Sequence, residues 1–228
     1  MTKIKHLLVS RKERWGLTRW GWLILMIIIL LPNIIIFANL YRILAPVDRV
    51  KTDVLVLEGF ISDYVLETAI KEFRDHQYHL LITTGTPLEW GHLLVAYDNT
   101  ARLAASSLIK LGFDSTKLAV VGTKEIRNDR TYNSALELKE WLKKNRPQVK
   151  ALNLMTMSVH GARSRKMFQA ALGDSIKVGI ISVENFYYNA HNWWRSSKGF
   201  RETMNEAFGY FYVQLFFRPY GKNEQIKH

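Results

Sequence analysis

Residues 151–168 read ALNLMTMSVHGARSRKMF. The alternation of Leu152, Leu154 and Thr156 predicts a strand that stops at Ser158, and His160, Gly161 and Arg163 open a segment of helical character. A strand that ends in a tight turn at a helix N-terminus directs backbone N–H groups and the positive end of the helix dipole at one spot. His160 and Arg163 stand three apart and share a face of the first turn. The pattern suits an anionic ligand. The bland alternative is that both side chains simply cap and brace the turn.

The neighbouring sequence repeats the strand-then-helix rhythm. Strands are expected at 53–57 (DVLVL), 80–83, 118–121, 152–157 and 176–181, and helices at 64–73, 97–111, 131–144, 163–172 and 200–217. Strands alternating with helices of this length imply βαβ crossovers and a mainly parallel sheet covered on both faces. In such α/β sheets ligands bind beyond the carboxyl ends of the strands, so the informative loops begin at Glu58, Thr84, Gly122 and Ser158.

Upstream the chain changes character. Six Lys or Arg residues against one Glu precede Trp20, and 20–41 (WGWLILMIIILLPNIIIFANLY) carries no charge. About 20 apolar residues are needed to cross ~30 Å of hydrocarbon. Trp15, Trp20 and Trp22 at one end and Tyr41 at the other fit interfacial anchors, and Pro32 is expected to kink the span. A cleaved signal peptide would have a shorter core and a small-residue cleavage site, so a retained anchor is the better reading. The expected organisation is a basic cytoplasmic N-terminus (1–19), a transmembrane helix (20–41), a linker (42–52) and one extracytoplasmic domain (53–228). The positive-inside rule places the N-terminus in the cytoplasm, which makes this a single-pass protein of the cytoplasmic (inner) membrane. A net charge of +12 would ordinarily suggest nucleic acid, but an outward-facing domain removes that partner. There is no cysteine, so disulfides and thiolate chemistry are excluded.

The loops supply the remaining candidates. The first holds Glu58 and Gly59, and the second Thr83-Thr84-Gly85-Thr86. Neither G-x-G-x-x-G nor G-x-x-x-x-G-K-[ST] occurs, so ordinary nucleotide sites lack their signatures and no cofactor is implied. The third loop, 125–134, contains Glu125, Arg127, Arg130, Thr131 and Asn133, with Asp129 or Thr131 as N-cap of the next helix. His76 and His79 share no helical face with a carboxylate cluster, so no metal site is expected. The stripe Met204, Phe208, Phe211, Tyr212, Leu215 reads as core packing, and the aromatic segment 186–194 as cover for the last sheet edge or, alternatively, as a partner or membrane-proximal surface.

These loops resemble the ElyC/SanA/YdcF envelope-protein family, whose marks are E-x-x-S-x-x-T-x-E-N-A and, after a strand, S-x-x-H-x-x-R. The corresponding segments are Glu125 through Thr131 to Ala135, and Met157 to Arg163, with DVLVLEG and ITTG at the family's first two turns and Glu206 near a family glutamate. Asn133 stands where the family usually has an acid, and Glu58 is a candidate substitute. The resemblance implies a Rossmann-like three-layer α/β/α domain tethered to the membrane, with a role in peptidoglycan assembly and envelope barrier function.

Together these readings make the chain a membrane-anchored envelope protein that binds a phosphate-bearing or other anionic metabolite, such as a lipid-linked precursor. His160 and Arg163 are the candidate catalytic pair, and Glu58, Gly59, Thr84, Gly85, Arg130, Thr131, Asn133 and Ser158 the candidate ligand-binding residues. Catalysis is left open. The competing readings are a non-catalytic scaffold or regulator that contacts envelope proteins, and an S-adenosylmethionine-binding domain.

Overall fold

A computed structural model describes residues 17–88, 96–124 and 128–221, so Glu125 and Arg127 lie outside the described residues. The chain divides at Asn39/Leu40 into two units. Helix α1, Arg19–Leu44, has 26 residues, about 39 Å at the α-helical rise, and is long and apolar enough to cross a membrane. Its apolar residues up to Phe37 are exposed rather than packed, unlike those of a soluble core helix. The helix continues through Pro32, and Asn33 and Asn39 each donate a side-chain N–H to the carbonyl four residues back, Ile29 and Ile35. Such local bonds are how an apolar helix keeps proline and asparagine without exposed backbone polarity.

The second unit is built on a six-stranded sheet: β1 (Val47–Asp48), β2 (Val54–Glu58), β3 (Leu80–Gly85), β4 (Leu118–Gly122), β5 (Ala151–Met157) and β6 (Lys177–Val183). Their spatial order is β1-β6-β5-β2-β3-β4, all parallel except β1 against β6. The five parallel strands have the order of a Rossmann sheet, with the switch point between β2 and β5. The helices are α2 (Asp63–Asp75), α3 (Thr100–Lys110), α4 (Arg130–Asn145), α5 (Gly161–Leu172) and α6 (Ser197–Leu215).

Strand periodicity sorts the core into two layers. Val54 and Val56 of β2 and Ile82 of β3 pack with Leu138 of α4 and Phe168 of α5. Leu55, Leu57 and Leu81 point the other way, against Leu66 of α2 and Leu108 of α3. Continuing this parity by two residues puts Glu58 and Thr84 on the α4/α5 side, which matters below.

Three expectations require correction. Residues 42–52 are not a free linker: α1 runs to Leu44, and β1 pairs with β6 at Val47–Ile181. The rest of that segment is stitched to the sheet, with Val50 bonded through both N and O to the Asn153 amide and Arg49 paired bidentately with Glu72. Because β1 occupies the β6 edge, the aromatic segment does not have to cover it. Instead Tyr188 and Trp193 pack with Leu40, Tyr41 and Leu44, while Phe186, Tyr187 and Trp194 are exposed. The third correction concerns α6. Its buried side is made by Gly199, Thr203, Ala207 and Val213, and Phe208, Phe211, Tyr212 and Leu215 are each more than half exposed rather than core. Helical spacing correctly grouped the stripe on one face, but spacing cannot say which face meets the sheet.

Candidate functional site

The carboxyl ends of β2, β3 and β5 and the N-terminus of α4 surround a cavity of about 410 Å³. Seven of the ten residues proposed from sequence line it: Glu58, Thr84, Gly85, Arg130, Thr131, His160 and Arg163. Thr86, Asp129, Ser134, Phe60 and Met167 complete the wall.

Glu58 is 2% exposed, and its Oε2 accepts a 2.8 Å hydrogen bond from Ser164 Oγ on α5. Nε2 of His160 lies 3.9 Å from the same carboxylate oxygen. Phe60 sets its ring edge-on to the imidazole, with centroids 5.2 Å apart. The chain reaches this point because β5 runs into a short 3-10 turn, Ser158–His160, before α5 begins.

Behind the imidazole stands Glu206, on α6. Its Oε1 is 2.9 Å from His160 Nδ1, and its two oxygens accept from Arg163 Nε at 2.7 Å and Nη2 at 3.0 Å. Burial would push the Glu206 carboxyl up, but hydrogen bonds from His160 and Arg163 reverse this and hold it down at about 2. Burial also works against the Arg163 charge, and the bond to Glu206 more than compensates, so its pKa is raised. An ionised carboxylate only accepts, so Nδ1 of His160 donates to Glu206, with Arg163 Nη2 3.0 Å from the same nitrogen. Nε2 is buried at the cavity wall and has no hydrogen-bond partner.

This arrangement changes the expected role of Arg163. Its guanidinium is engaged by Glu206 and steadies the dyad, instead of standing alone as an anion receptor. Positive potential in the cavity comes from Arg130, whose Nε and Nη2 donate to Thr86 Oγ1, and from the first turn of α4. Asp129 occupies the N-cap position with φ 48°, but its side chain does not cap the helix.

Three sequence candidates do not line the cavity. Gly59 and Gly85 serve a close approach: a Cβ on Gly59 would meet the Thr100 carbonyl oxygen at 2.5 Å, and one on Gly85 would meet Ala101 N at 2.5 Å. Gly85 thus reaches the wall while Gly59 is sandwiched, donating its N–H to Thr84 O at 2.7 Å. Asn133 is 3% exposed, and its amide donates to Asn128 O and to the Tyr220 hydroxyl. Burial pushes that phenol up to about 12, so Tyr220 remains a donor, to Asp129 Oδ2 at 3.2 Å. Asn133 is therefore a brace for residues 128–129. Ser158 has left-handed φ 54°, and its Oγ lies 3.1 Å from Tyr41 Oη and 3.2 Å from Tyr188 Oη, away from the cavity. Counting back three from His160 in S-x-x-H-x-x-R lands on Met157, so Ser158 does not hold the motif's serine position.

Besides the wall residues Phe60, Thr86, Asp129, Ser134 and Met167, sequence reasoning left Glu206 and Ser164 out of the site. Glu206 had a signal in the resemblance. Ser164 had only its place one residue beyond Arg163, at the start of a helix facing β2. Among the described residues no group of three or more His, Asp or Glu side chains is arranged to hold a metal ion.

A scan of the sequence against protein-family models gives no match, and a search of curated proteins gives none.

Proposed function

We propose that this cavity binds a phosphate-bearing, hydroxylated metabolite at the membrane surface, with the phosphate at the α4 N-terminus and Arg130 and a hydroxyl between His160 Nε2 and Glu58. The observation that carries the reading is the buried Nε2 of His160, a residue of the cavity wall, which has no hydrogen-bond partner and lies 3.9 Å from a second carboxylate while Glu206 holds the ring by Nδ1. A buried ring nitrogen without a hydrogen-bond partner is costly unless a ligand completes it. The first turn of a helix with an adjacent arginine is a suitable seat for phosphate oxygens. A sugar carried on a lipid phosphate presents both groups.

The same features support a second reading, in which binding leads to reaction. A neutral imidazole oriented by a carboxylate is the usual general base of hydrolases and transferases. Here Nε2 would take the proton from a water as its oxygen attacks the phosphorus, the P–O bond to the leaving alcohol or phosphate breaks, and the imidazolium returns the proton to that leaving oxygen. Glu206 would stabilise the imidazolium that forms. Arg130 and the α4 amides would offset charge on the phosphate oxygens.

The α1 helix supports an anchored protein, and the basic residues ahead of it support an N-in, domain-out orientation in the inner membrane. Together with the sequence resemblance to ElyC/SanA/YdcF proteins, these features support a ligand drawn from cell-envelope precursors.

Calorimetry of the intact chain in detergent, titrated with a polyprenyl-phosphate sugar and with S-adenosylmethionine, tests the reading. Binding of the first, weakened at least tenfold in His160→Ala and Arg130→Met, is the expected result. Unchanged affinity in both folded variants overturns the site. Binding of S-adenosylmethionine alone overturns the ligand class. Binding of neither ligand favours the scaffold reading.

A further inference from the structure

The exposed side of α6 is a second unexplained surface. Phe208, Phe211, Tyr212, Leu215 and Phe216 follow the spacing i, i+3, i+4, i+7, i+8, so they form one continuous stripe. The helix cannot roll to hide it. Thr203, Ala207 and Val213 are buried on the opposite side, and Glu206 is tied to His160 and Arg163. An apolar aromatic stripe of this size on a fixed helix requires a partner phase.

The packing of α6 identifies that phase. Met204, Ala207 and Tyr210 sit in one cluster with Leu40, Tyr41 and Leu44, the last turn of α1. Those residues directly follow the apolar stretch that is long enough to span a bilayer. Helix α6 therefore lies beside the point where the chain leaves the span, and lipid is the nearest apolar medium. Its chemistry agrees. From Ala207 to Arg218 there is no acidic residue, Arg201 on the same helix and Arg218 just past its end are exposed, and so is Arg42 near the end of α1. Phenylalanine and tyrosine flanked by arginine are the residues that settle at the headgroup boundary.

We propose that the Phe208–Phe216 face of α6 lies flat in the interfacial layer of the bilayer that α1 spans, docking the domain on an anionic lipid surface. This inference rests on the spanning reading of α1. It also gives the helix a second task. The segment that carries Glu206 to His160 rests on lipid by its other side, which holds the dyad about one helix diameter, roughly 10–12 Å, from the membrane surface. A lipid-borne substrate would then meet the cavity without leaving the bilayer.

The absence of cysteine makes the test direct. Phe211→Cys, Leu215→Cys, Lys143→Cys on exposed α4 and Ile28→Cys in α1 are labelled one at a time with an environment-sensitive fluorophore. The intact proteins are reconstituted in phosphatidylethanolamine/phosphatidylglycerol vesicles that contain doxyl lipids. Labels at 211 and 215 should be quenched several-fold more than the label at 143, and most strongly by shallow doxyl groups. The label at 28 should be quenched most by deep ones. Quenching at 28 with none at 211 and 215 overturns the docking while the span stands. A blue shift at 211 and 215 without lipid quenching assigns the stripe to a protein partner or a second copy, and also overturns it. No quenching at 28 removes the spanning reading and the docking with it.

Discussion

Nδ1 of His160 lies 2.9 Å from Oε1 of Glu206, across 46 positions of sequence. This contact makes the β5–α5 turn and the final helix parts of one site. It engages Nδ1, leaves the buried Nε2 without a hydrogen-bond partner, and the same carboxylate engages Arg163.

Replacing that carboxylate should change the acid limb of stability. A folded-state pKa of about 2 against an ordinary 4.5 means that the Glu206 contribution is fully present above about pH 4.5 and is lost as pH falls through 2. The shift corresponds to about 3 kcal/mol. Urea unfolding of Glu206→Gln should show a deficit of that order at pH 7 that largely disappears by pH 2. A deficit independent of pH would show that the ion pair is not its source.

Arg130 donates to Thr86 at the cavity wall. Arg130→Met should weaken binding of a phosphate-bearing ligand by about tenfold or more, the value of one or two charge-assisted hydrogen bonds, while shifting the melting temperature little. Calorimetry and thermal unfolding on the same sample separate the two effects.

Asn133 should behave in the opposite way. Asn133→Asp restores the acid common in the resembling family but replaces a donor with an acceptor facing Asn128 O. We expect a loss of about 1–3 kcal/mol in chemical denaturation and no gain in ligand affinity. Tighter binding in Asn133→Asp would return this position to the site.

Gly59 is held between Thr84 O and the first residue of α3, where a Cβ would meet backbone atoms. Gly59→Ala should therefore destabilise the fold by about 1–3 kcal/mol through forced separation of β2 from α3. A Gly59→Ala protein with unchanged unfolding midpoint would show that the approach is looser than drawn.

Ser158→Ala removes a hydroxyl shared by Tyr41 and Tyr188. Unfolding should become easier by about 1–3 kcal/mol while ligand affinity stays at the wild-type level. A binding defect in a fully stable Ser158→Ala protein would instead assign this serine to ligand contact.

Five of the domain's six strands and its five α-helices were legible because each pattern is local. Period-two runs such as 152–157 and 80–83 and helical spacing from 131 to 144 emerge within a residue or three of the observed elements. The turn at His160 and the loop ends at Glu58 and Thr84 were legible for a related reason, since parallel strands deliver their carboxyl ends to one side. Strand β1 escaped notice because two residues carry no periodicity, and its place on β6 comes from non-local pairing. The same limit hid the loss of Asn133 and Ser158 from the cavity, as a side chain's direction at a strand end or first helical turn depends on φ and on partners far along the chain, here Tyr220 and Tyr188.

By itself, then, the sequence determined an apolar helix followed by an α/β domain, and the edge of the sheet where chemistry belongs, because hydrophobic period and length are properties of neighbouring residues. Only the tertiary structure decided that Glu206 orients His160, that Arg163 is committed to Glu206, and that the aromatic stripe of α6 faces outward. Each depends on which side of one helix meets another. Periodicity defines that face without saying what it touches.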